Sequence, residues 1–560
     1  RFERCEEIAT QLLRRAQTAI AARIDTSFAQ AHEDVLVVFN PAARPASRLI
    51  EALLETDAHG VRLAEPAGEQ PSHPLGFAPL TSAAEVACSV RGVRLFDHAG
   101  QELDLNIGSI DVESTNEPHA ASDSPSPIRN RLMAKVRFWA DDLPPLGYRA
   151  YRFHFVNRPT TRSGGLVTAP NVMENEFLHV AILADGSIAV SDKETDPVIA
   201  PTVYFEDGAD CGDSYNFARP LSDRVLTTLG SPAQVALVEG SPAAAAFQIR
   251  HRLDLPERFD RECGVRSERT VPLEITTRVS LGVRSRYVAF RSHLRNTACD
   301  HRLRVVFRPC RALARESLSA CAEAPFDVVE WPIAPPHADP TRWAENQPST
   351  IPQGSFVDLS DGQWGIAVLN KGLPECEVVR DPEPRIYLTL FRSFSHLSRP
   401  DLTDRLRPAG PPLPTPGGQC LREMEFEYAL YPHRGRWFEA DVQALAHEFV
   451  SGVSTLCLMP GGSGDLPPEK DFLRLEGDPL VALSTIERSQ DGNAVLVRLW
   501  NGTTQSREAR VVFDRPVRSA HRVRLDETVE QTLKVVRRQE VPLKIGARKI
   551  VTVKAQYHSL

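Results

Sequence analysis

The sequence predicts a mainly β protein: a large β-supersandwich flanked by smaller β-sandwich domains, with one N-terminal helix from a helical bundle. Three observations carry this. Short segments that alternate apolar and polar residues recur from residue 33 onward. The 44 Pro among 560 residues favour loops and strand edges over long helices. One stretch alone, at the N-terminus, repeats apolar residues at clear helical spacing. At roughly 100–200 residues per domain the length provides about three to five domains. A hydrophobic share of 42% with 25% charged residues excludes wholesale disorder. The balance of 65 Lys+Arg against 73 Asp+Glu leaves a net charge of -8. Nucleic acid is therefore not an expected partner, because phosphate binding needs a basic stripe. No stretch approaches 18 apolar residues, and Val35–Phe39, one of the longest apolar runs, is strand-sized. No membrane-spanning helix and no membrane partner are expected.

The elements follow in order. Residues 2–30 read as one amphipathic helix, with Ile8, Leu12, Leu13, Ala16, Ala19 and Ile20 near i, i+4, i+8 spacing. One such stripe cannot bury itself, so its partners are expected upstream of Arg1, and residues 1–32 are assigned to the end of a helical bundle. The chain, opening on Arg1, reads as a fragment. Residues 33–160 form a small β-sandwich: the Val35–Phe39 run closes on Asn40-Pro41, and Ala134–Ala140 and Tyr148–Val156 alternate across a Pro144-Pro145 turn. Ser114–Ile128 is a Ser/Pro-rich loop and 157–174 a turn-rich linker. Ten or so strand patterns between 176 and 430, without a blade-length repeat, make 165–450 a two-sheet sandwich, with a short helix at Asp441–Val450. Residues 465–560 form a terminal β-sandwich.

Self-contained catalytic chemistry is missing. There is no HExxH, GxSxG, Walker loop or placed GxGxxG. The ten cysteines lack any CxxC pair and read as free thiols of a reducing compartment, which places the chain in the cytoplasm. The 16 His show no ligand spacing, and no metal site is assigned. The sequon Asn501-Gly502-Thr503 carries no weight. Three segments stand out. In Phe205–Phe217, Asp207, Asp210 and Asp213 recur every three residues in a Gly-punctuated loop ahead of Tyr215. Such a loop offers carboxylates to sugar hydroxyls and a ring to a pyranose face; equally, it is a turn held by Asx hydrogen bonds. Asp300-His-Arg-Leu-Arg304 puts a basic pair at the head of a strand, an edge salt bridge in the plainer reading. Leu388–Ser393 runs into His396, Arg399 and Asp401, where Arg392 and Arg399 either fork onto a ligand's oxygens or form surface ion pairs.

Taken together and in order, several segments resemble the C-terminal half of glycoside hydrolase family 38, the α-mannosidases. They are Val38–Pro41, Asn175–Leu178, Asp185-Gly186, Asp192–Thr195, Gly212–Asn216, Asp300–Arg304, Gln353–Asp358, Gly365–Gly372 and Leu388–Ser393. Each is weak alone, and their collinearity over nearly the whole chain carries the resemblance. It is closest to the bacterial branch that includes mannosylglycerate hydrolases. The resemblance implies a galactose mutarotase-like supersandwich and an N-terminal catalytic barrel as partner. It also implies a mannoside or oligosaccharide substrate and retaining hydrolysis by two carboxylates. Zinc or another divalent cation is implied in the full-length enzyme, its ligands outside this chain. No catalytic residue and no metal ligand maps here. What maps is the outer wall of the sugar site: Tyr215 flanked by Asp213, and the Arg392–Arg399 loop. The chain alone is expected to be inactive, and homo-oligomerisation is compatible with the resemblance. The alternative is a stand-alone carbohydrate-binding or structural β protein without hydrolase activity.

Overall fold

In the computed structural model the described residues are 2–57, 62–64, 77–79, 89–116, 128–160, 165–194, 202–333, 345, 348–402, 405 and 407–558. The N-terminal helix runs Phe2–Ala21, shorter than the 2–30 expected. Past Ala21 the backbone breaks into turns, and Asp25 N–H donates to the Leu466 carbonyl instead of continuing the helical ladder. Only the end of the helix is covered. Ala21 and Ile24 pack with Val35, Val37, Phe39 and Tyr148, while Ile8, Leu12 and Leu13 are 50–60% exposed. No helix among the described residues is long and apolar enough to cross a membrane.

The strand Asp34–Asn40 lies between Gly147–Val156 and Ser454–Leu458. Its continuous apolar run is explained by burial on both faces: Leu36 and Val38 enter the sandwich core, Val35 and Val37 the layer under the helix end. The facing sheet is Ala46–Asp57, Ile128–Leu143 and Leu105–Asn116. This sandwich differs from the 33–160 boundary expected. Ser454–Leu458 and Glu469–Asp471 return to complete its first sheet, so the terminal sandwich starts at Leu473 rather than at 465. Short strands of ordinary pattern do not announce which sheet they join. The expected 114–128 loop falls mostly outside the described residues, and within the expected linker Val167–Ala169 forms a sheet edge with Val172–Glu174 paired inside it.

The large sandwich pairs a ten-stranded sheet with a nine-stranded one. Between them lies one apolar core that includes Phe205, Phe247, Ile275, Phe290, Val305, Phe307 and Leu388. The outer face of the nine-stranded sheet is apolar too. Phe356, Ala367, Leu369 and Tyr431 pack against Val442, Ala446 and Phe449 of the second helix, Val442–Ser451. The strand His301–Phe307 sits in the middle of the ten-stranded sheet, between Val203–Ala209 and Arg385–Arg392. The edge position expected for the 300–304 basic pair is therefore corrected. The terminal sandwich stacks Leu473–Gly477, Arg507–Phe513 and Glu540–Ile545 on a five-stranded sheet around Val497, Leu499, Val511, Val541 and Val553. Within it the Asn501 side chain is fully buried and donates to the carbonyls of Gln505, Ile545 and Gly546, so the sequon is a turn. The nine cysteines among the described residues are free.

Candidate functional site

On His301–Phe307, strand alternation sends Leu303, Val305 and Phe307 into the core and Arg302 and Arg304 to the outer face. All seven residues are nonetheless buried, because the outer face is paved with ion pairs. Arg304 bonds Glu377 at 2.5 Å and also Glu206. Arg302 reaches Glu375 at 3.3 Å and Glu377 at 3.4 Å, and Arg219 closes over Glu377 at 3.1 Å. Aromatic rings cap the cations: Phe217 lies 3.5 Å from the Arg302 guanidinium and Tyr387 3.9 Å from that of Arg304. Burial, reinforced by neighbouring Arg304, lowers the Arg302 pKa to about 10. Burial alone would raise Glu377, but Arg304, Arg219 and Arg302 together hold it below the usual carboxylate range.

At the rim of this face stands the 210–217 loop. Asp210 and Asp213 are both fully buried, and every oxygen they carry is occupied. Asp210 accepts from the Gly212 amide at 2.9 Å and from Arg392 Nε at 2.7 Å. Asp213 Oδ1 accepts from the amides of Tyr215 and Asn216 at 2.9 and 3.0 Å. Its Oδ2 accepts from the Arg399 amide at 2.7 Å and from Arg405. Burial pushes the Asp213 carboxyl up, but these amides and Arg405 outweigh it and hold the group below its ordinary range. Arg392 Nη2 donates to the carbonyls of Asp213 and Asn216 at 2.9 and 2.8 Å. A Cβ at Gly212 would collide with the Asn216 carbonyl oxygen, which fixes glycine there.

The loop therefore spends its carboxylates on its own backbone and exposes its ring. Tyr215 is 54% exposed, with the Arg405 guanidinium 5.8 Å from its ring and Gly410 at its hydroxyl. Of the site residues expected from the sequence, Tyr215 faces outward. Asp213 has both oxygens engaged within the protein, and Arg392 spends Nε and Nη2 on Asp210 and the loop carbonyls, so the Asx-turn reading describes the geometry of the loop. Arg399 sits beside them and is committed to Asp401 at 2.6 and 2.9 Å. Asp207 lies elsewhere: on the inner side of the sheet it bonds Arg266 and, at 2.5 Å, His301 Nδ1. Arg405 was missed by sequence reasoning. It is the cation that joins Asp213, Asn216 and the Tyr215 ring, and no local pattern marks it, because its partners are about 190 residues away.

Three β-sandwiches, the largest with one apolar and one ionic outer face, define a multi-sandwich, mainly β protein. Comparison with known proteins places it. Residues 173–403 match the family described as "Glycosyl hydrolases family 38 C-terminal domain". Residues 480–553 match the "Glycosyl hydrolases family 38 C-terminal beta sandwich domain". The chain belongs to glycosyl hydrolase family 38 through these two C-terminal domains. A curated relative, "Putative mannosylglycerate hydrolase" of Halalkalibacterium halodurans, is 26% identical over 401 residues, 69% of this chain and 41% of the relative. The chain thus spans about two fifths of that relative's length. An α-mannosidase from Enterococcus faecalis V583 superposes with a TM-score of 0.77 at 23% identity, covering 99% of this chain and 59% of that one. A family 38 protein from Enterococcus faecalis gives 0.77 at 22%, covering 99% and 62%. Both show the fold. Among the described residues no metal-ligand set forms around Tyr215, and no step is routed through a cation there.

Proposed function

We propose that this chain is the C-terminal part of a retaining α-mannosidase. In this reading it completes the sugar-binding side and the scaffold of a site whose two carboxylates and metal ligands lie on a catalytic barrel outside these residues. The observation that carries the proposal is Tyr215. Within the segment that matches the family domain, one aromatic ring is held outward by a loop whose polar groups are all internally engaged. A ring so fixed presents a stacking face and a hydroxyl to a mannoside without ordering cost at binding. Arg405 and Arg392 position it, through Asp213 and the loop carbonyls. The reaction would run on paired carboxylates about 5 Å apart, one forming the glycosyl-enzyme and the other acting as acid and then base. A bound divalent cation would supply orientation of the sugar hydroxyls.

Two assays test this. The 560-residue chain, given an aryl α-mannoside and zinc, shows no turnover; turnover by the chain alone overturns the proposal. In a form that includes the barrel, Tyr215→Phe lowers kcat/KM by about fivefold or more, roughly 1 kcal/mol of transition-state stabilisation. A change within about twofold removes Tyr215 from the site. Mannoside binding by the 560-residue chain at the affinity of the barrel-containing form would favour a stand-alone binding protein.

A further inference from the structure

A different set of side chains meets in the first sandwich. His32, Glu33 and His154 each offer one donor atom, and these atoms all lie within 4.8 Å of one another. The positions are separated by about 120 residues of sequence, so no spacing in the chain announces them. Their placement is rigid. The turn at 30–33 is closed twice, by the Glu33 amide on the Gln30 carbonyl at 2.9 Å and by the Gln30 amide on Glu33 Oε2 at 2.9 Å. His154 lies on the strand Gly147–Val156, stacked on Phe96 at 5.7 Å and edge-on to His32 at 5.1 Å. It is 6% exposed, and its Nδ1 has no hydrogen-bond partner. Glu33 Oε1, at 3.7 Å, is too far to bond it. A buried imidazole nitrogen left open toward a carboxylate and a second imidazole lacks the partner that buried polar atoms normally have.

We propose that His32, Glu33 and His154 bind a borderline divalent cation of the zinc class, which staples the segment after the N-terminal helix to the first sandwich. Two imidazole nitrogens and one carboxylate oxygen suit zinc better than calcium or magnesium, which prefer all-oxygen shells. Bonds of about 2.0–2.1 Å require donors roughly 3.4 Å apart in a tetrahedron. Glu33 and His154, at 3.7 Å, are already close to that span, and rotation of the partly covered His32 ring would bring in the third donor, with water completing the fourth position. The main opposing charge is Arg152, whose Nη1 lies 3.2 and 3.1 Å from the two Glu33 oxygens. A carboxylate has lone pairs for both, and a donor held from behind is an oriented ligand. Arg94, 4.9 Å from the Phe96 ring, is paired with Glu102 at 2.6 and 3.0 Å.

The test uses the 560-residue chain, stripped with a chelator and titrated with Zn2+ and, separately, Co2+. Expected are one equivalent of zinc per chain and a melting temperature raised by about 4 °C at a hundredfold excess over Kd. The cobalt form should show the intense visible absorption of a four-coordinate site without a thiolate charge-transfer band. His32→Ala, at a partly exposed position, loses the equivalent and the thermal shift while keeping the wild-type circular dichroism. Unchanged stoichiometry in His32→Ala overturns the proposal. So does a weak six-coordinate cobalt spectrum of the wild type, or a thiolate band pointing to the exposed Cys5 or Cys263. The last two readouts do not depend on any variant folding.

Discussion

The two outer faces of the large sandwich solve burial in opposite ways. On the nine-stranded sheet, Phe356, Ala367, Leu369 and Tyr431 are covered by the helix Val442–Ser451 of the same chain. On the ten-stranded sheet, Arg302, Arg304, Glu206, Glu375 and Glu377 cover one another, under the rings of Phe217 and Tyr387. The first face is non-directional and can only be a packing surface. The second is directional: every donor must find an acceptor, and the loops at its rim are fixed by the same kind of bond. That is why an exposed ring can be held in one place at the ionic face. The apolar face gives stability, and the ionic face gives position.

Four outcomes would sharpen or break this contrast. Glu377→Ala removes the acceptor shared by two buried guanidiniums, leaving Arg304 only Glu206 and Arg302 only Glu375, and should cost about 3–5 kcal/mol in denaturant unfolding, the largest effect. A loss below about 1 kcal/mol would mean the ionic face is not dry. Leu369→Ala on the apolar face leaves a cavity under the helix and should cost about 3 kcal/mol. Its effect should add to a change on the ionic face within about 0.5 kcal/mol, because the two faces share no partners. Strong coupling in that double mutant would contradict separate roles.

The third outcome concerns pH. Glu377 and Asp213 both have folded pKa values below the ordinary carboxylate range. The native state therefore binds fewer protons at these sites than the unfolded chain. Their contribution is complete above about pH 4.5 and is lost as pH falls through the lowered folded values. Melting temperature should drop steeply below about pH 4, and Asp213→Asn should flatten part of that limb. A parallel acid limb in Asp213→Asn would show that Asp213 is not charged in the fold. Smallest of all is Tyr215→Ala. An outward ring carries little of the fold, and thermal unfolding should change by less than about 0.5 kcal/mol.

Much of the architecture is legible in the sequence. The strand patterns at Gln234–Glu239, Ala245–Leu253, Glu274–Leu281 and Glu425–Leu430 all fall within observed strands. The short helix near 441 is present as well. Strands such as Ser319–Ala324 and Glu375–Val379 carry no such signal. The latter alternates Glu with Cys and Val because its outer face meets arginines instead of water or core. At the candidate site, the ring and its loop could be read from Gly212–Asn216. The Asx turn was one of two readings of its carboxylates, and the long-range bonds of Asp210 to Arg392 and of Asp213 to Arg405 could not be read.

By itself, the sequence determined the β class, the absence of familiar catalytic motifs and the family. Periodicity, turn residues and short collinear motifs are local, and local patterns survive without knowledge of what they touch. Only the tertiary structure decided that His301–Phe307 is central and that Ser454–Leu458 returns to the first sandwich. It alone decided that Arg405 supports Tyr215 and that His32, Glu33 and His154 meet. Those facts depend on which distant segments become neighbours, and long-range pairing is set by the burial of whole faces rather than by any residue's immediate sequence.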